Sequence, residues 1–179
     1  VWIEKALGLG IQEFEIYQST TVEKEMTWFQ GQMDTLVSSK VTGTSIRGIV
    51  DGKMANMALE EIDDSMCETV LKSLIEQAHI ISNEETESLR KPEPIEYVKK
   101  DVTWNMASTE YVKDILQSLE AKILAYDPRV IQVGYLGYSQ GSGSRSIVNS
   151  LGMDVQDADE MQYIVASVVV KEEEEVKDA

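Results

Sequence analysis

Gly137-Tyr138-Ser139-Gln140-Gly141 has the G-x-S-x-G spacing of a serine-hydrolase nucleophile elbow. In such an elbow a strand delivers the serine to a sharp turn and a helix follows, so the hydroxyl stands exposed beside backbone oxyanion donors. The residues before Ser139 have strand character. Those after it, Gly141-Ser142-Gly143-Ser144-Arg145-Ser146, read as a loop, and Ile147-Val148-Asn149 as strand. The order is also wrong, because the histidine of that fold follows its serine and His79 precedes Ser139. A β-hairpin connection is the better reading, and a serine hydrolase using Ser139 stays as a remote alternative. The glycines Gly134, Gly137, Gly141 and Gly143 precede no Gly-Lys-Ser/Thr and open no helix, so they read as a flexible turn and not as a phosphate cradle.

The other reactive side chains are isolated. His79 is the single histidine and Cys67 the single cysteine. A transition-metal site cannot be built from these two, twelve residues apart, without carboxylates. His79 falls near the end of a helical pattern, where a cation suits the helix dipole. Cys67 sits in Asp64-Ser65-Met66-Cys67-Glu68, and acidic neighbours raise a thiol's pKa, so it reads as a packing residue. The pairs Glu60-Glu61, Asp63-Asp64 and Glu84-Glu85 flank a helix and lack the alternating oxygen ligands and glycine of a calcium loop. No catalytic, cofactor-binding or metal-binding residue is assigned.

Positioning falls to elements of two kinds. Trp2, Ile3, Ala6 and Leu7 have helical spacing, stopped by Gly8 and Gly10. Strands are expected over Phe14 to Gln18, Thr21 to Gln30, Leu36 to Ser38, Val41 to Val50 and Met54 to Ala58. Asp51-Gly52 between the last two is a hairpin signal, because a type I′ turn needs positive φ at both central residues. Glu60 to Ile81 carries Ile62, Met66, Val70, Leu71, Leu74, Ile75 and Ala78 on one helical face. Residues 83–107, with Pro92 and Pro94, read as a linker or a loop wrapped on the surface. Thr109 is the expected cap of a second long helix, with Val112, Ile115, Leu116, Leu119, Ile123 and Leu124 as its stripe and Asp127-Pro128 as its stop. Strands follow over Val130 to Ser139, Ser144 to Asn149 and Met161 to Val170. The last is apolar on both faces and is expected at the centre of a sheet. Glu172 to Glu175 reads as a solvated segment beyond it.

The predicted class is α+β: mostly antiparallel strands in two runs, with two long amphipathic helices between them. We expect residues 1–179 to be one N-terminal domain fragment of a longer protein. Its lobes would be 1–82 and 108–179, with no C-terminal domain in the chain. The chain opens at Val1 inside a helical pattern and stops just after a strand pattern, so both ends look cut. Sixteen basic and 32 acidic residues give a net charge of −16, which repels phosphate backbones and anionic membranes. No run approaches the ~18 apolar residues of a membrane span, and no signal peptide is seen. One cysteine allows no internal disulfide, which suits a reducing cytoplasm.

One stretch identifies a family. Gly43-Thr44-Ser45-Ile46-Arg47-Gly48-Ile49-Val50-Asp51-Gly52-Lys53-Met54-Ala55 resembles the "G.g.Rv..dGr.G.a" segment of the TldD/PmbA metallopeptidases. Ala6-Leu7 and Gly10 leading into Phe14-Glu15-Ile16-Tyr17 are similar to that family's opening, and a strand-like stretch over Val22 to Leu36 follows. Asn149-Ser150-Leu151-Gly152 resembles its "N-S.G" segment, so the match spans nearly the whole chain. Met54 departs from it, since the family has glycine there.

The resemblance implies a soluble cytoplasmic protein with an α/β-type N-terminal domain and a β-rich C-terminal domain. TldD-type members hold zinc through His-Glu-x-x-x-His in that C-terminal part. This chain has no such motif, so no catalytic or metal residue carries over, and zinc belongs to a missing C-terminal part or a partner subunit. PmbA-type members, also called TldE, lack the motif and pair with TldD-type subunits around a chamber for extended peptides. The opening looks more like the PmbA type.

The implied partners are a TldD/PmbA-type subunit, in a homo- or hetero-oligomer, and a peptide substrate. The implied role is proteolysis or peptide maturation, through subunit association and peptide access. The fragment alone would not be an enzyme; the full-length protein or its complex would be a metallopeptidase. The family's description as a modulator of DNA gyrase suggests DNA work, which the net charge opposes as direct contact. Arg47, Asp51, Gly52 and Asn149 are the family-signature residues. The Asp51-Gly52 turn is explained by backbone geometry, and Arg47 is expected as an exposed strand arginine. A non-enzymatic protein-interaction module is the alternative reading.

Overall fold

Long strands dominate the molecule. The computed structural model describes residues 1–82, 85–94, 96, 100 and 105–178. The elements run α1 (Trp2–Gly8), β1 (Glu13–Phe29), β2 (Gln32–Val50), β3 (Lys53–Leu59), α2 (Cys67–Ile80), α3 (Thr109–Tyr126), β4 (Val130–Asn149), β5 (Asp154–Glu172) and β6 (Glu175–Asp178). The strands form one antiparallel sheet in the order β3-β2-β1-β4-β5-β6. The fold is α+β, with strands in two runs around two long helices. No described helix is long and apolar enough to cross a membrane.

The strands continue where the hydrophobic alternation fades. Phe14 to Gln18 and Thr21 to Gln30 are one strand, and Leu36 to Ser38 joins Val41 to Val50. Polar pairs carry the join: Thr20 Oγ1 lies 3.1 Å from Thr42 Oγ1, and Gln18 Nε2 donates to Thr44 Oγ1 at 3.4 Å. Likewise β4 runs unbroken from Val130 to Asn149, so the loop and hairpin connection expected around Gly141 and Gly143 are not formed. The sheet supplies strand neighbours on both sides of β4, which holds even glycines extended.

Local chemistry sets the turns and helix starts. Asp51 (φ 49°) and Gly52 (φ 75°) form the expected tight turn, with β2 and β3 paired from Val50↔Lys53 to Thr44↔Leu59. Gln30 (φ 50°) and Gly31 (φ 80°) make a second turn of that kind. The helix expected from Glu60 begins only at Cys67. Asp63 Oδ1 accepts from Ser65 N at 2.6 Å, a local turn that competes with helix over 63–66. The α3 cap is Ser108, one residue before Thr109, with Oγ accepting from Tyr111 N at 3.2 Å.

Two compact units interleave along the chain. The first comprises Val1–Thr20, Val41–Asp101 and Gly143–Ala158. Its core packs Trp2, Ala6 and Ile11 with Phe14, Ile46, Val50 and Ala55 of the sheet and Cys67, Val70, Leu71, Leu74 and Ala78 of α2. Gly48 permits this closeness, since a Cβ there would lie 2.8 Å from Leu74 Cδ2 and 3.1 Å from Ile11 Cγ2. Part of the segment read as a linker is fastened to this unit. Leu89 is buried, its N–H donates to Glu13 Oε2 at 2.6 Å, and Glu87 Oε2 accepts from Met54 N at 2.8 Å. Residues 83, 84, 95, 97–99 and 101–104 of that segment lie outside the described residues, as does Glu84 of the acidic pair.

The second unit comprises Thr21–Lys40, Val102–Ser142 and Asp159–Ala179. Its core sets Val112 and Leu116 of α3 against Met26, Trp28, Val133, Leu136 and Tyr138. Glu120 is buried with them, and its Oε2 accepts from Trp28 Nε1 at 2.8 Å and from Gly31 N at 3.0 Å. Glu172 to Glu175 is not a free tail. It turns at Glu173 (φ 54°) into β6, which pairs with the end of β5.

Candidate functional site: a buried carboxylate and an open sheet edge

The signature residues Arg47 and Asn149 meet in the first unit at a residue the motif reading did not single out as a site. Glu15 has a side chain only 3% exposed. Its Oε1 accepts from Arg47 Nε at 3.0 Å and also from an Arg47 terminal nitrogen. Its Oε2 accepts from Asn149 Nδ2 at 3.2 Å. Asn149 is itself buried; Nδ2 also donates to Arg90 O at 3.0 Å, and Oδ1 accepts from Leu151 N and Met153 N, both at 3.0 Å. One amide thus closes the turn after β4, ties down Arg90 and holds a carboxylate. Ser150 adds backbone stitching, donating from N to Phe14 O at 2.8 Å while its Oγ accepts from Phe14 N at 2.9 Å.

This is anchoring chemistry. Both oxygens of Glu15 accept from side chains of the first unit, which ties β1 to β2 and to the end of β4. Arg47 is half-exposed but ion-paired, which refines its expected place as a simple surface arginine. Asp51 and Gly52 stand apart as a backbone turn, with Gly52 N donating to Gln12 Oε1 at 3.1 Å.

Among the described residues, no catalytic grouping forms around the isolated reactive side chains. Ser139 lies inside the extended run of β4 and not at a strand-to-helix turn, so the elbow geometry is absent. The missing side chain of Gly137 makes room for the Tyr135 ring, whose hydroxyl would clash with a Cβ there. His79 is exposed, with Nε2 3.7 Å from Asp51 Oδ2. Cys67 is fully buried; burial pushes its thiol up, with Lys5 opposing. Among the described residues no three His, Cys, Asp or Glu side chains are placed to hold a metal, so the zinc implied by the resemblance finds no fitting ligand set there.

The second unit has its own polar core. Gln140, buried in β4, accepts at Oε1 from Ala107 N (2.8 Å) and Tyr138 Oη (2.7 Å). Tyr138 Oη accepts in turn from Gln162 Nε2 at 2.9 Å, and burial raises its phenol pKa. Sequence periodicity did hold a signal for these residues. Glu120 follows Val112 and Leu116 at four-residue steps on α3, and Gln140 follows Leu136 and Tyr138 at two-residue steps on β4.

The other notable surface of this unit is β5. Its apolar run was expected at the centre of a sheet, but β5 stands next to last, and β6 covers it only over Val169–Glu172. Among the described residues the segment before Val169 has no strand on that side. Met161, Tyr163 and Val165 are 59%, 43% and 47% exposed, and Ile164, on the opposite face, is 39% exposed. Beside Ile164 an open groove of about 590 Å³ is lined by Tyr111, Asp114, Ile115, Ser118, Leu119 and Lys122 of α3.

Family models match most of the chain. Residues 14–82 match the PmbA/TldA metallopeptidase domain 1, and residues 103–179 match the PmbA/TldA metallopeptidase central domain. No curated protein matches it. Three solved structures share the fold. A candidate modulator of a DNA gyrase from Thermotoga maritima aligns at TM-score 0.79 and 18% identity, over 99% of this chain and 40% of that one. A candidate modulator of DNA gyrase from Bacteroides thetaiotaomicron aligns at TM-score 0.73 and 18% identity, over 99% and 42%. TldE from Thermococcus kodakarensis aligns at TM-score 0.77 and 19% identity, over 98% and 41%. The chain spans about two fifths of the length of each.

Proposed function

Because this chain belongs to the PmbA/TldD metallopeptidase family, we propose that it serves peptide maturation by organising subunits and guiding an extended peptide to a zinc site that lies elsewhere. The observation that carries this is the open edge of β5, with apolar side chains uncovered on both faces. Such a strand is an association surface, since its backbone can pair with another chain and its side chains gain from burial. The Glu15–Arg47–Asn149 network is the scaffold that fixes the strands of the first unit.

In this reading the chain is of the PmbA (TldE) type and works in the cytoplasm beside a TldD-type subunit. Zinc is supplied by a C-terminal part or by that partner. The net charge of −16 disfavours direct contact with nucleic acid or anionic membrane. The test is reconstitution. The chain with added zinc should leave an unfolded peptide intact, and it should co-elute with a TldD-type subunit and raise that subunit's turnover. Cleavage by the zinc-loaded chain alone overturns the proposal. Failure to associate with or stimulate any TldD-type subunit favours a non-enzymatic interaction module.

A further inference from the structure

We propose that residues 85–90 form an acid-released clasp on the Asp51-Gly52 turn, which opens as a unit when Glu13 and Glu87 are neutralised while the core of the first unit stays folded. The proposal rests on contacts within that unit and not on the peptidase reading, so either can fail alone.

Three features make the segment a clasp. The first is where it lies. Residues 85–90 belong to no helix or strand, yet they touch three elements far apart in sequence. Glu87 N donates to Gly52 O at 2.9 Å, and Lys53 Nζ donates to Glu85 O at 3.4 Å, both at the β2–β3 turn. Thr86 lies over the same turn, its Cγ2 3.1 Å from where a Cβ on Gly52 would stand. Ser88 and Leu89 reach Glu13 at the start of β1. Arg90 O accepts from Asn149 Nδ2 at the end of β4. Six residues thus bridge the Asp51-Gly52 turn and the Asn149 network.

The second is what holds it. Leu89 is the one buried residue of the six, so apolar burial anchors the segment at a single point. Short hydrogen bonds carry much of the rest, and they end on carboxylates. Leu89 N donates to Glu13 Oε2 at 2.6 Å, and Ser88 Oγ lies 3.0 and 2.9 Å from the two oxygens of Glu13. Met54 N donates to Glu87 Oε2 at 2.8 Å. An ionised carboxylate only accepts, and bonds to it are roughly twice as strong as neutral ones. A proton on it removes that charge and adds an O–H where donors already point. A segment with so little buried apolar surface belongs to the part of a fold that opens first.

The third is the surrounding charge. Among the described residues neither Glu13 nor Glu87 is ion-paired with a lysine or arginine, so the donors printed on them are neutral. The neighbouring charges have partners of their own. Arg90 pairs with Glu93, and Asp51 Oδ2 lies 3.7 Å from His79 Nε2. Glu15 is held by Arg47 and Asn149, and it reaches the clasp through Asn149. No ion pair with Glu13 or Glu87 therefore remains to hold the segment once both are neutral, and opening it gives Gly52 O and Met54 N to water.

The experiment is amide hydrogen exchange followed by NMR on the chain and on E13Q and E87Q, which keep side-chain shape and remove charge. At pH 7 each variant should speed exchange of both Leu89 and Met54 by at least about fivefold. Each alters the acceptor of only one of those amides, so the effect on the other reports opening as a unit. Amides of α2 from Val70 to Ala78 should keep wild-type protection. At about pH 3.5, after correction for intrinsic exchange, the wild type should show the same opening. The E13Q/E87Q double variant should be open already at pH 7 and change no further in acid. An effect confined to the altered acceptor's own amide overturns the proposal. So does loss of α2 protection in step with the clasp, because the whole unit would then be unfolding. So does an acid response that the double variant retains, because Glu15 or His79 would then carry it.

Discussion

A carboxylate removed from water keeps its charge only if donors replace the lost solvation, and Glu15 shows how three distant segments cooperate in this. Arg47 comes from β2, Asn149 from the end of β4, and Asn149 holds Arg90 O as well. Asn149→Ala removes one amide and strands Glu15 Oε2, Arg90 O, Leu151 N and Met153 N. The expected loss is about 3 kcal/mol, the cost of leaving several buried polar groups unpaired. For a chain of this size a thermal melt should fall by roughly 6–12 °C; an unchanged melt would show the network to be dispensable. At the surface, hydrogen bonds from the Arg129 side chain and backbone hold Asp127 down at about 2. A depressed carboxylate stabilises above its ordinary pKa, near 3.8, and loses that contribution as pH falls through about 2. The Asp127→Asn variant should therefore differ from wild type in urea midpoint at pH 6 and converge with it near pH 2. Cys67 is buried with its thiol pKa raised, so a thiol reagent at pH 8 should label it slowly in the folded chain and fast in urea.

At the scale of elements, closeness of packing and continuity of strands matter more than propensity. Helix α2 lies so near β2 that Gly48 has no room for a methyl group. Gly48→Ala should cost about 1–3 kcal/mol through overpacking against Leu74 and Ile11, measured as a shift in urea midpoint with unchanged slope. Restoring space with Leu74→Val in the same chain should recover part of the loss, whereas an effect due only to backbone entropy would have the opposite sign. In the second unit Glu120 fastens α3 to the β1–β2 turn through Trp28 and Gly31. Its place on the apolar stripe made it visible as an inward residue, but its two partners lie 89 and 92 positions away in sequence.

For the whole molecule, net charge and the open edge act against each other. At neutral pH a net charge of −16 on each copy opposes the pairing of one β5 with another. Near the sequence isoelectric point of about 4.4 that repulsion vanishes. Light scattering should then show self-association rising as pH approaches 4.4, and V165K should suppress it. Association that is indifferent to V165K would place the sticky surface elsewhere.

The sequence by itself determined what local chemistry controls. Asp51-Gly52 dictated a type I′ turn because both residues tolerate positive φ. The stripes of α2 and α3 dictated which faces would be buried, and 32 acidic residues against 16 basic set the net charge of −16. Phe14-Glu15-Ile16-Tyr17, the stretch from Gly43 to Ala55 and Asn149-Ser150-Leu151-Gly152, in that order, carried the resemblance to the family that the family models then showed. Only the tertiary structure decided where strands end and who neighbours whom. Polar stretches such as Ser19-Thr20 and Gly141-Ser142-Gly143 stay extended because adjacent strands satisfy their backbones, which no local pattern encodes. The same apolar alternation serves a central strand or an edge, so Met161 to Val170 could be read either way until the sheet order placed it beside a four-residue β6. Glu15 belonged to a motif in the sequence, and the fold alone showed that Arg47 and Asn149 are its partners, because hydrogen bonds between residues 32 and 134 positions apart form only after the chain has folded.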